Sequence, residues 1–444
     1  MNEKIIELLS NNDFKELKNL LRESNEADIA DALSELEKED LAVVFRLLDK
    51  NEATDIFARM DEQSQEMLIE MLSDKEVGSI MSKLYVDDAA DLVEELPANL
   101  VSKVLKNANA TKRQAINEIL KYPEDSAGSI MTTEFIELDE DDTVSEAFDR
   151  IRKTGLKKET VYTCYVTDKN GRLNGVTTVK DMMMEEYETK ISDFMEDNVI
   201  SVNTTEDKED VAKMFDKYDF LALPVIDSQG VLVGIVTIDD AMDVLSEESE
   251  EDFEKMAAMA PSEEDYLKES IFVQYKNRIV WLLVLMLSSI VTGIIITNYE
   301  NVFAAQTALV ALMPMIMDTG GNCGSQASTM IIRALATDEI ETKDLFKAWW
   351  KEIRIAVLVG LTLAFVNGIR ILIQYHDLTL ALIVGVTLLF TAMLAKSLGV
   401  LLPIGAKALG LDPAYMASPM ITTIVDACSL TIYFNVALLL MSIM

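Results

Sequence analysis

Over roughly the first 125 residues, apolar positions return every three or four places, the spacing of amphipathic helices. The stretches IADALSELEKEDLAVVFRLLD, ATDIFARMDEQSQEMLIEMLSD and AADLVEELPANLVSKVLKNA carry this pattern, with short polar breaks between them. Units such as ADIADALSELE and VDDAADLVEELP look alike at a spacing of roughly 30 residues, which predicts a helical superhelix. Near residue 126 the period shortens. VYTCYVTD, GRLNGVTTVKDM, LALPVID and GVLVGIVTIDDAMDVL are β-rich, split by Asp/Gly turns and flanked by helices. From 240 to 265 one long, carboxylate-dense helix is expected, running along the membrane face and then into it. Five apolar runs follow, roughly 279–298, 302–332, 354–375, 378–404 and 415–443, each long enough to cross a bilayer. The expected architecture is a multidomain membrane protein. An all-α superhelical domain covers 1–125, a tandem α/β pair 126–245, a connecting helix and linker 246–270, and a five-helix transmembrane domain 271–444.

Charge changes the picture. The formal net charge is −37, and the first 275 residues hold 66 acidic against 29 basic residues, while the remainder holds ten of each. So acidic a chain lacks the basic face of a nucleic-acid binder, and its polar half must repel itself at close quarters. Cys164, Cys323 and Cys428 are too widely spaced for a disulfide framework or a zinc site. No secretory leader is read at the N-terminus. Lys276 and Arg278 precede the first apolar run, five Lys and Arg lie between the second and third, and Lys396 and Lys407 lie near the fourth-to-fifth connection, which predicts a cytosolic N-terminus and an outside C-terminus in a multi-pass inner-membrane protein.

Two polar sets interrupt the apolar runs: LMPMIMDTGGNCGSQAST at 312–329 and DPAYMASPMITTIVDACS at 412–429. Asp426 has no cation near it in sequence, and a bare carboxylate in hydrocarbon is costly. It is either protonated, or faces water, or faces a metal cation. Carboxylate, carbonyl, amide and hydroxyl oxygens without thiolate or imidazole clusters suit a hard, hydrated ion such as Mg2+. Gly321 and Gly324 carbonyls, Asn322, Thr423 and Asp426 are the candidate path. Five segments are few to enclose a pore, so a symmetric homodimer is expected, with two copies of Asp426 facing each other. On the acidic helix, Asp240, Asp243, Glu247, Glu251 and Glu254 share a face, and such like charges need neutralising. They either form a solvated face or hold Mg2+.

PMIMDTGGNCGSQAST followed by SPMITTIVD resembles the signature of the MgtE family of magnesium channels, and the order of the parts agrees along the whole chain. NGVTTVKD aligning with VGIVTIDD, and YVTDKNGRL with VIDSQGVL, resembles a pair of CBS domains. The family resemblance implies a homodimer in which the acidic helix is a plug held closed by cytosolic Mg2+. Carried over by position, it implies sensor carboxylates at Glu209, Asp219, Asp240, Asp243, Glu248, Glu251 and Asp252, with Asp87 and Asp91 from the helical domain. CBS pairs often bind adenine nucleotides. That resemblance implies ATP held by Thr178 with Asp181 and Thr237 with Asp240, although the same residues serve equally as helix caps.

The sequence reading is therefore a Mg2+ channel for uptake, shut by cytosolic Mg2+ between acidic elements. Its rivals are a Mg2+ carrier coupled to Na+ or H+, and a nucleotide-sensing receptor without transport. No Ser/His or Cys/His constellation and no phosphate loop suggests an enzyme.

Overall fold

The structure is a computed structural model describing residues 1–50, 52–262, 266–267, 269–300, 307–416 and 418–443. It divides into two compact units, residues 1–246 and 247–444.

The first unit begins with ten short helices: α1 Asn2–Ser10, α2 Phe14–Glu23, α3 Glu26–Ser34, α4 Lys38–Phe45, α5 Glu52–Ala58, α6 Glu62–Met71, α7 Asp74–Met81, α8 Val86–Glu95, α9 Ala98–Asn107 and α10 Ala110–Ile119. The long stretches read as helices are each cut in two. Asp61 caps α6 by accepting the Ser64 N–H, and Pro97 starts α9 where it cannot continue α8. Their apolar faces close on one core that includes Leu17, Leu33, Phe57 and Leu68.

Two similar modules follow. In the first, β1 (Ile136–Asp139) leads through α11 (Val144–Thr154) to β2 (Thr163–Thr167), β3 (Leu173–Thr178) and α12 (Val179–Met184). The second repeats this as β4 (Val202–Asn203), α13 (Lys208–Tyr218), β5 (Ala222–Ile226), β6 (Leu232–Thr237) and α14 (Ile238–Met256). Each sheet pairs its first two strands parallel and its last two antiparallel. The β2–β3 and β5–β6 turns place Gly171 and Gly230 at φ 76° and 81°, where a side chain is strained. Those turns also join the modules: Leu173 N–H donates to Gly230 O at 3.1 Å, and Leu232 N–H to Gly171 O at 3.0 Å. This is the tandem pair the sequence predicts. The acidic helix, however, ends at Met256, and Ala258 turns away at φ 56°.

The second unit holds α15 (Ile271–Asn298), α16 (Ala308–Ala336), α17 (Leu345–Tyr375), α18 (Leu378–Ala408) and α19 (Ser418–Ile443). Four spans among the described residues are long and apolar enough to cross a membrane: Ile271–Asn298, Thr342–Tyr375, Leu378–Ala408 and Pro413–Ile443. The expected count of five is thus corrected to four. The second expected run forms α16, but its polar insert dilutes its apolarity, and its expected start at 302–306 lies outside the described residues.

Small residues let α16 approach its neighbours. A methyl group built on Gly399 would lie 2.6 Å from Gly324 O, and one on Gly324 would lie 2.6 Å from Ile421 Cγ2. Lys396, expected near the 4–5 connection, instead lies buried within α18 and pairs with Glu352 of α17 at 2.9 Å. Two charges at that depth are tolerated because each neutralises the other.

Because the obstacle at Gly399 is backbone, Gly399→Val is expected to cost about 1–3 kcal/mol or more by overpacking. Thermal unfolding in detergent checks this, and Gly405→Val, which meets nothing within 4 Å, serves as control.

Candidate functional site

In the first unit, six carboxylates from three parts of the chain converge. Asp87 and Asp88 occupy the first turn of α8, Glu134 and Glu159 flank the β1–α11–β2 connection, and Asp239 and Asp240 open α14. Local bonds set the frame. Glu134 accepts the Val86 N–H at 3.3 Å, Glu159 N–H donates to Glu134 O at 2.8 Å, and Tyr85 OH donates to Lys158 O at 3.4 Å.

A helix N-terminus favours an ionised carboxylate by only about 0.3–1 kcal/mol. Burial opposes it here and wins. Asp87, only 7% exposed, has its pKa driven well up by burial, then by Asp240, Asp88 and Glu159. Burial, then Asp239 and Asp88, raise Asp240 to about 7; burial, then Asp88, Asp239, Asp240 and Glu134, raise Glu159 to about 8; and burial, then Asp239 and Glu134, raise Asp88. Lys112 lies among them, and burial lowers its own pKa. Asp87 Oδ1 and Glu159 Oε2 are buried without any hydrogen-bond partner. Orphaned hard oxygens of this kind fit a cation that keeps some of its water. Among the described residues, no three His, Cys, Asp or Glu side chains close on one point as a finished chelate.

The turn at Thr237 shows the crowding at atomic scale. Its hydroxyl lies 2.5 Å from Asp239 Oδ1 and 2.5 Å from Asp240 Oδ2. One hydroxyl carries one hydrogen, so it cannot donate to both. In the first module Thr178 and Asp181 form a reciprocal cap instead, with Thr178 Oγ1 2.6 Å from Asp181 Oδ2.

The other expected sensor residues are more scattered. Asp91 stands one turn beyond Asp87 on α8. Burial and then Asp239 raise the pKa of Asp243, and Arg59 opposes them. Glu209 pairs with Lys213 at 2.8 Å, and Asp219 ends α13 in the left-handed region at φ 56°. Glu248, Glu251 and Asp252 fall in the second unit, where Glu251 pairs with Lys255 at 2.6 Å. Sequence reasoning missed Glu134, Glu159, Asp88 and Asp239 as members of the cluster. Asp88 and Asp239 adjoin named residues and could have been found. Glu134 and Glu159 gave no local signal, because only tertiary packing brings them to α8.

In the second unit, Asp318, Asn322, Gln326 and Thr329 lie three or four apart on α16 and are exposed on the single chain. Gly320, Gly321 and Gly324 point the other way and are buried against α18 and α19. The Gly324 carbonyl faces Gly399 of α18. On α19, Asp426 is half-buried and within electrostatic reach of Asp318, and Thr423 Oγ1 donates to Pro419 O at 2.9 Å. Asp318 belongs beside Asn322 and Asp426; its place in the MIMDTGGN run was the available signal.

The family profile described as the MgtE divalent cation transporter matches residues 313–436. That of the MgtE intracellular N domain matches 24–125, and the CBS domain matches 127–188 and 191–247. The magnesium transporter MgtE of Thermus thermophilus is 36% identical over 360 residues, covering 80% of each chain. That of Bacillus subtilis is 32% identical, covering 80% of this chain and 79% of the other. Among solved structures, the cytosolic domain of the Mg2+ channel MgtE in complex with ATP superposes with a TM-score of 0.52 at 32% identity, covering 55% of this chain and all of that one. The soluble part of a magnesium transporter gives 0.52 at 30% identity, over 56% and 98%.

A carboxylate with a raised folded-state pKa holds its proton more tightly folded than unfolded. Its stabilisation is complete below about pH 4 and is lost as pH rises through the folded values, about 7 for Asp240 and about 8 for Glu159. In chelator, the melting temperature of the first unit is expected to fall between pH 5.5 and 8.5, and saturating Mg2+ to flatten that slope. Thermal scans of the full chain at stepped pH measure both.

Proposed function

The chain belongs to the MgtE family of magnesium transporters, and from that premise we propose that it is a Mg2+ channel for uptake, held shut by Mg2+ in the cytosol. The observation that carries the regulatory half is the pair of orphaned buried oxygens, Asp87 Oδ1 and Glu159 Oε2, inside the six-carboxylate cluster. A divalent ion would be held by Asp87 and Asp240, with Glu159 beside them, and would supply two positive charges. With that charge in place the carboxylates stay packed in their ionised form. Without it they must take up protons to stay packed, and once ionised they repel and favour separation of α8 from the start of α14. Asp91, Asp243, Glu209, Asp219, Glu248, Glu251 and Asp252 are the further sensor residues of the proposal. The switch extends only as far as bound and free states differ in affinity.

For the conducting half, α16 and α19 supply Asp318, Asn322, Thr423 and Asp426. Gly321 and Gly324 serve by letting those helices meet, and their packing supports this role over that of carbonyl ligands. A second copy of the chain would set two Asp426 carboxylates across a wet path, where a divalent ion is preferred over a monovalent one. Two features support the homodimer. The equivalent pairs Tyr162 with Met183, and Leu221 with Met242, are exposed on the two modules. In addition, α15 buries none of its residues within one chain. In this reading α16 crosses together with the four apolar spans, its polar side on the path, so the N-terminal unit is cytosolic and the C-terminus lies outside, and lipid covers the outward apolar faces. ATP at the module pair is a further input, supported by the ATP-bound relative; it would compete for Thr178 and Thr237 with their own caps.

Mg2+ flux into proteoliposomes tests both halves. Asp426→Ala is expected to abolish flux. Asp87→Ala with Asp240→Ala is expected to keep flux while raising the cytosolic Mg2+ needed for closure at least about tenfold, within the range of ordinary coupling energies. Flux that depends on a Na+ or H+ gradient, without single-channel currents, would favour the coupled carrier.

A further inference from the structure

The helix α14 carries nine carboxylates after Ile238 and a single basic residue, Lys255, one residue from its end. That lysine is not solvated. Its side chain is 14% exposed, and Nζ lies 2.6 Å from Glu251 Oε1 and 2.7 Å from Asp412 Oδ2. The ammonium also sits 5.7 Å from the centre of the Tyr415 ring, which stacks on Trp281 of α15 at 5.9 Å. The two carboxylates raise its pKa despite burial.

The partners lie in different elements. Glu251 is one turn back on α14. Asp412 stands in the turn after α18, beyond Gly410, and its other oxygen accepts the Ala414 N–H at 2.8 Å. Residues 413–416 form the short turn that leads into α19, the helix of Asp426. Lys255 thus joins the end of the acidic helix to the entry of the pore helix, with an aromatic ring from each of two neighbouring elements closing the cage. Most surface ion pairs contribute little. This one is largely dehydrated, and removing its cation would leave two carboxylates facing each other.

We propose that Lys255 is a positioning residue that clasps the C-terminal end of α14 to the loop entering α19, so that its release is a step in opening the pore. The clasp rests on the gating reading given above. It adds to that reading a built-in cation that shares Glu251 with the metal sensor. Losing the clasp frees the end of α14 from the α18–α19 loop, so more cytosolic Mg2+ is needed to hold the closed arrangement.

The test uses full-length protein carrying Lys255→Met, Asp412→Asn, both together, and Lys255→Arg. In proteoliposomes, each neutralising substitution is expected to raise the Mg2+ concentration for half-inhibition about tenfold. The double variant should shift no further, since both changes break one contact, and Lys255→Arg should stay close to the parent. Effects that multiply in the double variant, or single variants without a shift, overturn the clasp. Amide hydrogen exchange over residues 250–258 is measured on the same proteins, with dimer elution confirming assembly. Equal acceleration in both single variants and in the double supports the clasp, and unchanged exchange overturns it. If flux through the parent ignores cytosolic Mg2+, the gating reading fails on its own, and hydrogen exchange still decides the clasp.

Discussion

Mutual repulsion among carboxylates held out of water is the constraint on which the polar half depends. Six of them meet at the α8–α14 junction with Lys112 among them, and the backbone offers only partial relief through the Val86 N–H and the first turn of α8. Burial opposes ionisation, proximity opposes it further, and the helix dipole is too weak to reverse either. Such a junction stays packed most readily when its carboxylates hold protons. The surplus of 66 acidic over 29 basic residues in this part of the chain is not merely a soluble surface, because part of it is folded inward.

The membrane half meets the opposite difficulty. Hydrocarbon disfavours every polar atom, yet α16 carries Asp318, Asn322, Gln326 and Thr329 along one face. The chain separates the two demands around the helix. Glycines turn inward, where α18 and α19 approach within a methyl group's width, and the polar groups turn outward to where a second copy or water can meet them. The buried Lys396–Glu352 pair ties α17 to α18 at the same depth without adding net charge. The Lys255 contacts then place the end of the acidic helix against the entry of α19 through a single ammonium.

Much of this was legible in the residues. Helical spacing, the doubled TxxD turns and the polar inserts each write a local rule into the chain, and local rules survive translation into sequence. Helix breaks at Asp61 and Pro97 were visible as caps but were overridden by the continuity of the apolar pattern. The count of spans differs at α16 because its polar insert makes it less apolar than the other four long helices. Lys396 was expected only to lie near the fourth-to-fifth connection, because sequence gives charge and not burial. Glu134 and Glu159 were invisible for a different reason: their role exists only once α8 has packed against the first module.

The two modules differ at one informative place. After the shared Thr and one apolar residue, the first module has Lys180 and the second has Asp239, ahead of the matching Asp181 and Asp240. A single exchange of sign converts an ordinary helix cap into a crowded, proton-hungry turn. Duplication therefore left the protein with two copies of one socket that obey different chemistry. In the first turn the Thr178 hydroxyl meets one carboxylate, while in the second the Thr237 hydroxyl meets two, so the negative charge is concentrated in the second. The two modules thus share one backbone plan and differ in the charge that their matching turns present.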